Sequence, residues 1–248
     1  MLRRSDIDFY GKGSAGGGSM PDNDQIAFYA GVPGYYSSPS PTATPDRNGR
    51  NAASLIAYAV AADSTGRPQL VRMAKGLVWE PWGPWQDLAH LPVHINYRWP
   101  NLFQLAVPSA PTASGMADTD YEVIGDSVVR FEYCYLLQPT SASAASPSLV
   151  PYNAAVLGHS NKDFYRDVAG IVVAVAILDP KSRVIVNDYS QLTSQSLFSD
   201  AAGMEIATPW VAAVNRRTFA TDARIPQTAA SAVRTYERRF SFAAPNSQ

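Results

Sequence analysis

The stretch Ile171-Val-Val-Ala-Val-Ala-Ile-Leu178 most limits what this chain can fold into. It closes a charge-free apolar run of eleven residues, Val168 to Leu178. A membrane helix needs about 20 such residues, so the run is too short to span a bilayer as a helix. Its β-branched side chains lose rotamer freedom in a helix and pack well on a pleated surface. A strand buried on both faces is therefore expected.

A second stretch, Val128 to Leu137, alternates instead. Val129, Phe131, Tyr133, Tyr135 and Leu137 fall on one side at a period of two, and Arg130, Glu132 and Cys134 fall on the other. One face should be core and the other partly wet. Ser54 to Val60 and Leu70 to Lys75 read as an antiparallel pair joined across Asp63-Ser-Thr-Gly66, which supplies hairpin turn chemistry. Gln25 to Ala30 is a short strand halted by Gly31-Val-Pro-Gly34. Residues 37–51 and 139–149 read as loops, and Asp179 to Ser182 as a turn before Arg183-Val-Ile-Val186. Two helices are expected, one around Gln191 to Ala201 and one over Thr208 to Arg217, with Thr208 as cap and Pro209 at the first helical position. Ala232 to Phe242 returns to strand, with Arg234, Tyr236, Arg238, Phe240 and Phe242 alternating against Val233, Thr235, Glu237 and Arg239.

The domain plan is a flexible Gly/Ser-rich segment over 1–23, one β-rich head over 24–242 and a short tail over 243–248. Hydrophobic residues make up 46% of the chain and charged residues 17%. The charged share is below the usual value of about 25%, which excludes a generally disordered polymer. A formal charge of -1 leaves no global field to recruit nucleic acid or an anionic membrane. The single cysteine, Cys134, excludes an internal disulfide and a zinc site built on two or more thiolates.

The chemical motifs fail on context. Gly11, Gly13 and Gly16 fit G-x-G-x-x-G, but Gly17-Gly18-Ser19-Met20-Pro21 cannot start the helix that would hold a pyrophosphate. His90 and His94 have the spacing of a helical zinc pair, with Pro92 between them and no accompanying glutamate. Gly158-His159-Ser160 begins like a nucleophile elbow, yet Lys162 stands where the second glycine belongs. Cys134 in mid-strand reads as an inert thiol, and Asp163 with Asp167 as a solvated face. No catalytic residues, metal ligands or cofactor-binding residues are assigned, and no cofactor is expected.

Two other clusters concern binding. Trp79, Trp82 and Trp85, with Tyr97 and Trp99 nearby, form either a Pro-stiffened cover over a sheet end or an aromatic platform for glycan or peptide. Between Arg216 and Arg239, six Arg face only Asp222 and Glu237, with Phe219, Tyr236 and Phe240 interleaved. That patch suits RNA or an acidic partner, or else is the charged outer face of an edge strand.

The order of six segments resembles the globular heads of minor pseudopilin-like proteins of type IV pilus and type II secretion systems. PilW-type and J-type members, and prepilin-type proteins of verrucomicrobial cassettes, are the nearest in pattern. The segments are Asp24 to Tyr36, Ser54 to Tyr58, Met73 to Trp79, Ile124 to Tyr133, Val168 to Leu178 and Ala232 to Phe240. The resemblance implies an α+β pilin-like head dominated by twisted antiparallel β-sheet, with one or two short helices. It implies a non-enzymatic structural subunit whose partners are other pilin-like or pseudopilin subunits, located in the periplasm or at the cell surface, and no nucleic acid. The family's prepilin leader is not found before Ser5, so membrane contact is expected only through a helix encoded upstream. A head lacking that helix should leave an apolar groove on the face of Val129, Phe131, Tyr133 and Tyr135, or on the Ile171 to Leu178 strand. The alternative is a secreted or surface binding module using the tryptophan platform.

Overall fold

The computed structural model describes residues 7–9, 23–24, 26–30, 32, 34–36, 46–51, 54–76, 121–137, 168–194, 196–199 and 205–241. Ten strands are described: β1 (Ile7–Phe9), β2 (Ile26–Ala30), β3 (Gly34–Tyr36), β4 (Asp46–Asn51), β5 (Ser54–Ala62), β6 (Pro68–Gly76), β7 (Tyr121–Asp126), β8 (Val128–Leu137), β9 (Val168–Leu178) and β10 (Val233–Ser241). Three short α-helices, α1 (Ala207–Val214), α2 (Phe219–Asp222) and α3 (Gln227–Ala230), and a 3-10 turn at Ser182–Ile185 lie between the last two strands. Seven strands form one sheet in the order β1-β2-β5-β6-β3-β4, with β7 also on β6, and the other three form a second sheet, β10-β9-β8. The described pairings are antiparallel except where Tyr35 of β3 meets Lys75 of β6. The chain is an α+β fold dominated by antiparallel sheet.

The expected hairpin forms β5 and β6, and its turn is closed by one side chain. Asp63 Oδ1 accepts from the Thr65 amide, the Thr65 hydroxyl and the Arg67 amide at 2.7, 2.7 and 2.9 Å. Gly66 takes φ of +80°, where an L side chain is strained. Burial pushes the Asp63 carboxyl up, but the hydrogen bonds from Thr65 and Arg67 outweigh it and hold the group below its ordinary range.

Ser127 turns the chain from one sheet into the other. It is the residue between β7, paired to β6, and β8, paired to β9. Its φ is 60°, a region that non-glycine residues enter sparingly. Its carbonyl accepts from the Leu178 amide at 3.0 Å. Immediately afterwards the ladder shifts: Val128 faces Ile177 and Arg130 faces Ala176, so Val129 is an extra residue in a β-bulge.

In the second sheet β8 and β9 are covered on both sides, giving three layers there. Ile26, Tyr58, Val60 and Leu70 of the large sheet meet Val128, Phe131, Tyr133 and Tyr135 of β8 and Ile171, Val173, Val175 and Ile177 of β9. On the far side, Val129, Cys134, Val172, Ala174, Ala176 and Leu178 pack against the helical segment. Trp210 of α1 is wholly buried there. Phe198 meets its ring edge-on at 5.7 Å, and the Trp210 Nε1 donates to the Ser199 carbonyl at 2.9 Å. The continuous apolar stretch is thus a strand with both faces covered, as its composition required.

Several expectations need correction. The alternating strand has no wet face, because Arg130 and Glu132 are buried at 0% and 1% exposure. Their charged ends lie 3.7 Å apart, and the small partners Ala176 and Ala174 leave room beside them. Val129 does not share a face with Phe131, since the bulge puts it on the helix side with Cys134. Residues around Gln191 make turns rather than a helix. There Thr193 Oγ1 donates to the Tyr189 carbonyl, Asp188 Oδ1 accepts from the Ser190 amide and Ser194 Oγ from the Ser196 amide, so polar side chains compete with helical bonding. Arg183 to Val186 tightens into the 3-10 turn. Asp46–Asn51, expected as loop, pairs with β3, and Ile7–Phe9, expected within a flexible segment, pairs with β2. β7 had no strand reading in the sequence at all.

Candidate interaction surface

β10 begins where α3 ends and runs antiparallel to β9 along its whole length, from Val233 opposite Leu178 to Ser241 opposite Gly170. Gly170 is what allows the far end to lie so close, because a Cβ there would stand 2.4 Å from the Phe240 carbonyl oxygen. β10 is the outer strand of its sheet, and among the described residues no strand pairs with its other edge.

The two faces of β10 differ in use. Thr235, Glu237 and Arg239 stand opposite Ala176, Ala174 and Val172, on the helix side. Glu237 Oε2 accepts from the Ala207 amide at 3.0 Å, placing a carboxylate at the first turn of α1, where the helix end favours negative charge. Thr208, expected to cap that helix, lies inside it and donates to Glu205 instead. Glu237 Oε1 also lies 3.6 Å from Arg239 Nε.

The other face carries Arg234, Tyr236, Arg238 and Phe240, opposite Ile177, Val175, Val173 and Ile171. Those β9 residues belong to the core between the sheets, but β10 reaches past that cover: Tyr236 is 57% exposed and Phe240 40%. The Arg238 guanidinium lies over the Phe240 ring at 5.3 Å from its centroid. Arg234 Nη1 donates to the Ser231 and Val233 carbonyls at 2.7 and 2.9 Å, which ties the guanidinium end back to the turn before β10. The edge thus offers a main-chain ladder beside a face of alternating cations and aromatic rings.

The opposite edge of the same sheet is closed. Asn23 Oδ1 accepts from the Phe131 amide at 2.7 Å, Asp24 Oδ2 from the Tyr133 amide at 3.1 Å, and the Asp24 amide donates to the Phe131 carbonyl at 3.0 Å. Both residues are buried. A polar pair directly before β2 was the only trace of this closure in the sequence.

Of the residues named from sequence as partner-binding, the four that are described do not form a surface. Val129, Phe131, Tyr133 and Tyr135 are exposed by 0%, 4%, 1% and 0%. Phe131, Tyr133 and Tyr135 are filled in by the large sheet and Val129 by the helical side, so the open groove expected on that face is corrected to core. Trp79, Trp82 and Trp85 lie outside the described residues, as do His90, His94, Gly158 to Ser160, Asp163 and Asp167. Cys134 is buried. The described residues contain no group of three or more His, Cys, Asp or Glu able to hold a metal ion, and no helix among them is long and apolar enough to cross a membrane.

Shifted ionisable groups lie away from β10. Burial raises the Tyr189 hydroxyl, which donates to the Arg183 carbonyl at 3.2 Å. Burial lowers the Arg72 guanidinium, but its cross-strand pair with Glu122 outweighs this and raises it above its ordinary value. Comparison with known families, curated proteins and solved structures finds no match in any of the three.

Proposed function

We propose that this protein is a non-enzymatic assembly subunit of a pilus-like or secretion-type pseudopilus, and that β10 is where a neighbouring subunit docks. One observation carries the reading: a nine-residue edge strand presents exposed Tyr236 and Phe240 while the other edge of the same sheet is covered. A long edge is a template for pairing with another chain, and proteins ordinarily blunt or cover one that is not used. Aromatic side chains with Arg between them are also the composition of protein interfaces. The order of segments supplies the partner class, other pilin-like subunits, with a periplasmic or cell-surface location and membrane attachment through an upstream helix.

The test is co-expression with the pilin-like subunits of the same host, followed by co-purification. Tyr236→Lys combined with Phe240→Lys should abolish recovery of the partner while the melting temperature of the isolated chain stays unchanged. Full recovery with the double variant overturns docking at β10.

A further inference from the structure

Resting on the assembly reading above, we infer that the segment added to β10 is a heterologous strand with carboxylates at alternate positions, opposite Arg234 and Arg238, and apolar side chains between them, opposite Tyr236 and Phe240. In a sheet, residues directly opposite one another share a face and their side chains interact, so a strand laid on β10 is read at every second position. On the readable face the order is cation, ring, cation, ring. The other face is already engaged inward, through Glu237 on the α1 amide and on Arg239.

The two cations are prepared for acceptors. The Arg238 guanidinium lies over Phe240 at 5.3 Å from the ring centroid, and a guanidinium in such a cation–ring contact can still direct its N–H fork at a carboxylate. Arg234 Nη1 is taken up by two backbone carbonyls, so the donors that remain for a carboxylate are those of Nε and Nη2. Across the strand, three Arg stand against one Glu, so the edge is positive and an acidic strand is its complement.

The same pattern disfavours a second copy of this chain. Two β10 strands paired about a two-fold axis must keep equal faces together, which permits only registers centred on a residue. Centred on Tyr236, the pairing sets Arg234 against Arg238. Centred on Arg234, Glu237, Arg238 or Arg239, it sets that residue against its own copy, and the registers that escape this, such as those centred on Thr235 or Phe240, pair no more than five residues of β10. Like charges directly opposite destabilise a pair of strands.

The experiment uses the full chain and two fluorescent seven-residue peptides that differ only in charge, Glu-Thr-Phe-Thr-Glu-Thr-Val and Lys-Thr-Phe-Thr-Lys-Thr-Val. Polarisation should show binding of the Glu peptide and at least about tenfold weaker binding of the Lys peptide. Arg234→Glu with Arg238→Glu should reverse that order. Equal binding of the two peptides, no binding of either, or preferred binding of a single-stranded uridine oligonucleotide overturns the inference. Concentration-dependent dimerisation of the chain that Arg238→Glu abolishes overturns it in favour of self-pairing. Failure here is distinguishable from failure of the docking reading: if Tyr236→Lys with Phe240→Lys still severs the pilin-like partner, β10 docks a strand of different chemistry.

Discussion

The two edges of the three-stranded sheet are finished in opposite ways. Along β8, the amides of Phe131 and Tyr133 are taken up by Asn23 and Asp24, and side chains on both faces are buried. Along β10, one face is committed to α1 while the other turns Tyr236 and Phe240 to solvent. The difference teaches that this sheet spends its binding capacity at one end only. β8 is filled in on both faces by the core, and on the assembly reading proposed above β10 is where a partner would be accepted.

That contrast can be broken most forcefully at β8. Glu132→Ala leaves Arg130 buried without the carboxylate 3.7 Å away, and should cost about 3–5 kcal/mol in urea unfolding. A loss below about 1 kcal/mol, the range of exposed pairs, would place this pair in a wet environment and erase the distinction between the edges. Asn23→Ala removes the acceptor of a buried amide and should cost about 1–3 kcal/mol, with faster hydrogen exchange at Phe131. Unchanged protection at Phe131 would mean that the edge is not closed by Asn23.

Gly170→Ala tests how β10 is held. The added methyl meets the Phe240 carbonyl, and overpacking of this kind should cost about 1–3 kcal/mol and loosen the far half of β10 in hydrogen exchange. Smaller still is the acid response of the β5–β6 hairpin. The Asp63 carboxyl is lowered in the folded state, so its contribution is present above the ordinary value of 3.8 and is lost as pH falls from there through the lowered folded value. Asp63→Ala should therefore reduce stability at neutral pH and flatten that acid-limb slope; a slope unchanged by the substitution would contradict the turn's hydrogen-bond geometry. At the bottom of the scale, Tyr236→Lys with Phe240→Lys should change folding stability by no more than about 0.5 kcal/mol, since both residues lie on the exposed face of β10. A larger loss would make those rings structural and weaken β10 as an interface.

The sequence itself determined the strands with strong local periodicity. β-branched character marked β9, alternation marked β8 and β10, and Asp63 with Gly66 marked the hairpin, because each signal is carried by near neighbours along the chain. The sequence supplied the α+β, sheet-dominated class only through the resemblance carried by its order of segments. It also placed Arg234, Tyr236, Arg238 and Phe240 on one face, while leaving edge strand and binding patch as rival readings of the same residues. What only the tertiary structure decided depends on groups far apart in sequence. The bulge at Val129 turned its side chain away from Phe131, Ala174 and Ala176 made space for Arg130 and Glu132, and Glu237 replaced Thr208 at the start of α1. Asn23 and Asp24 closed one edge across more than a hundred residues of chain, which left β10 as the edge without a paired strand among the described residues. Periodicity tells which way a side chain points, but exposure depends on what another layer brings over it.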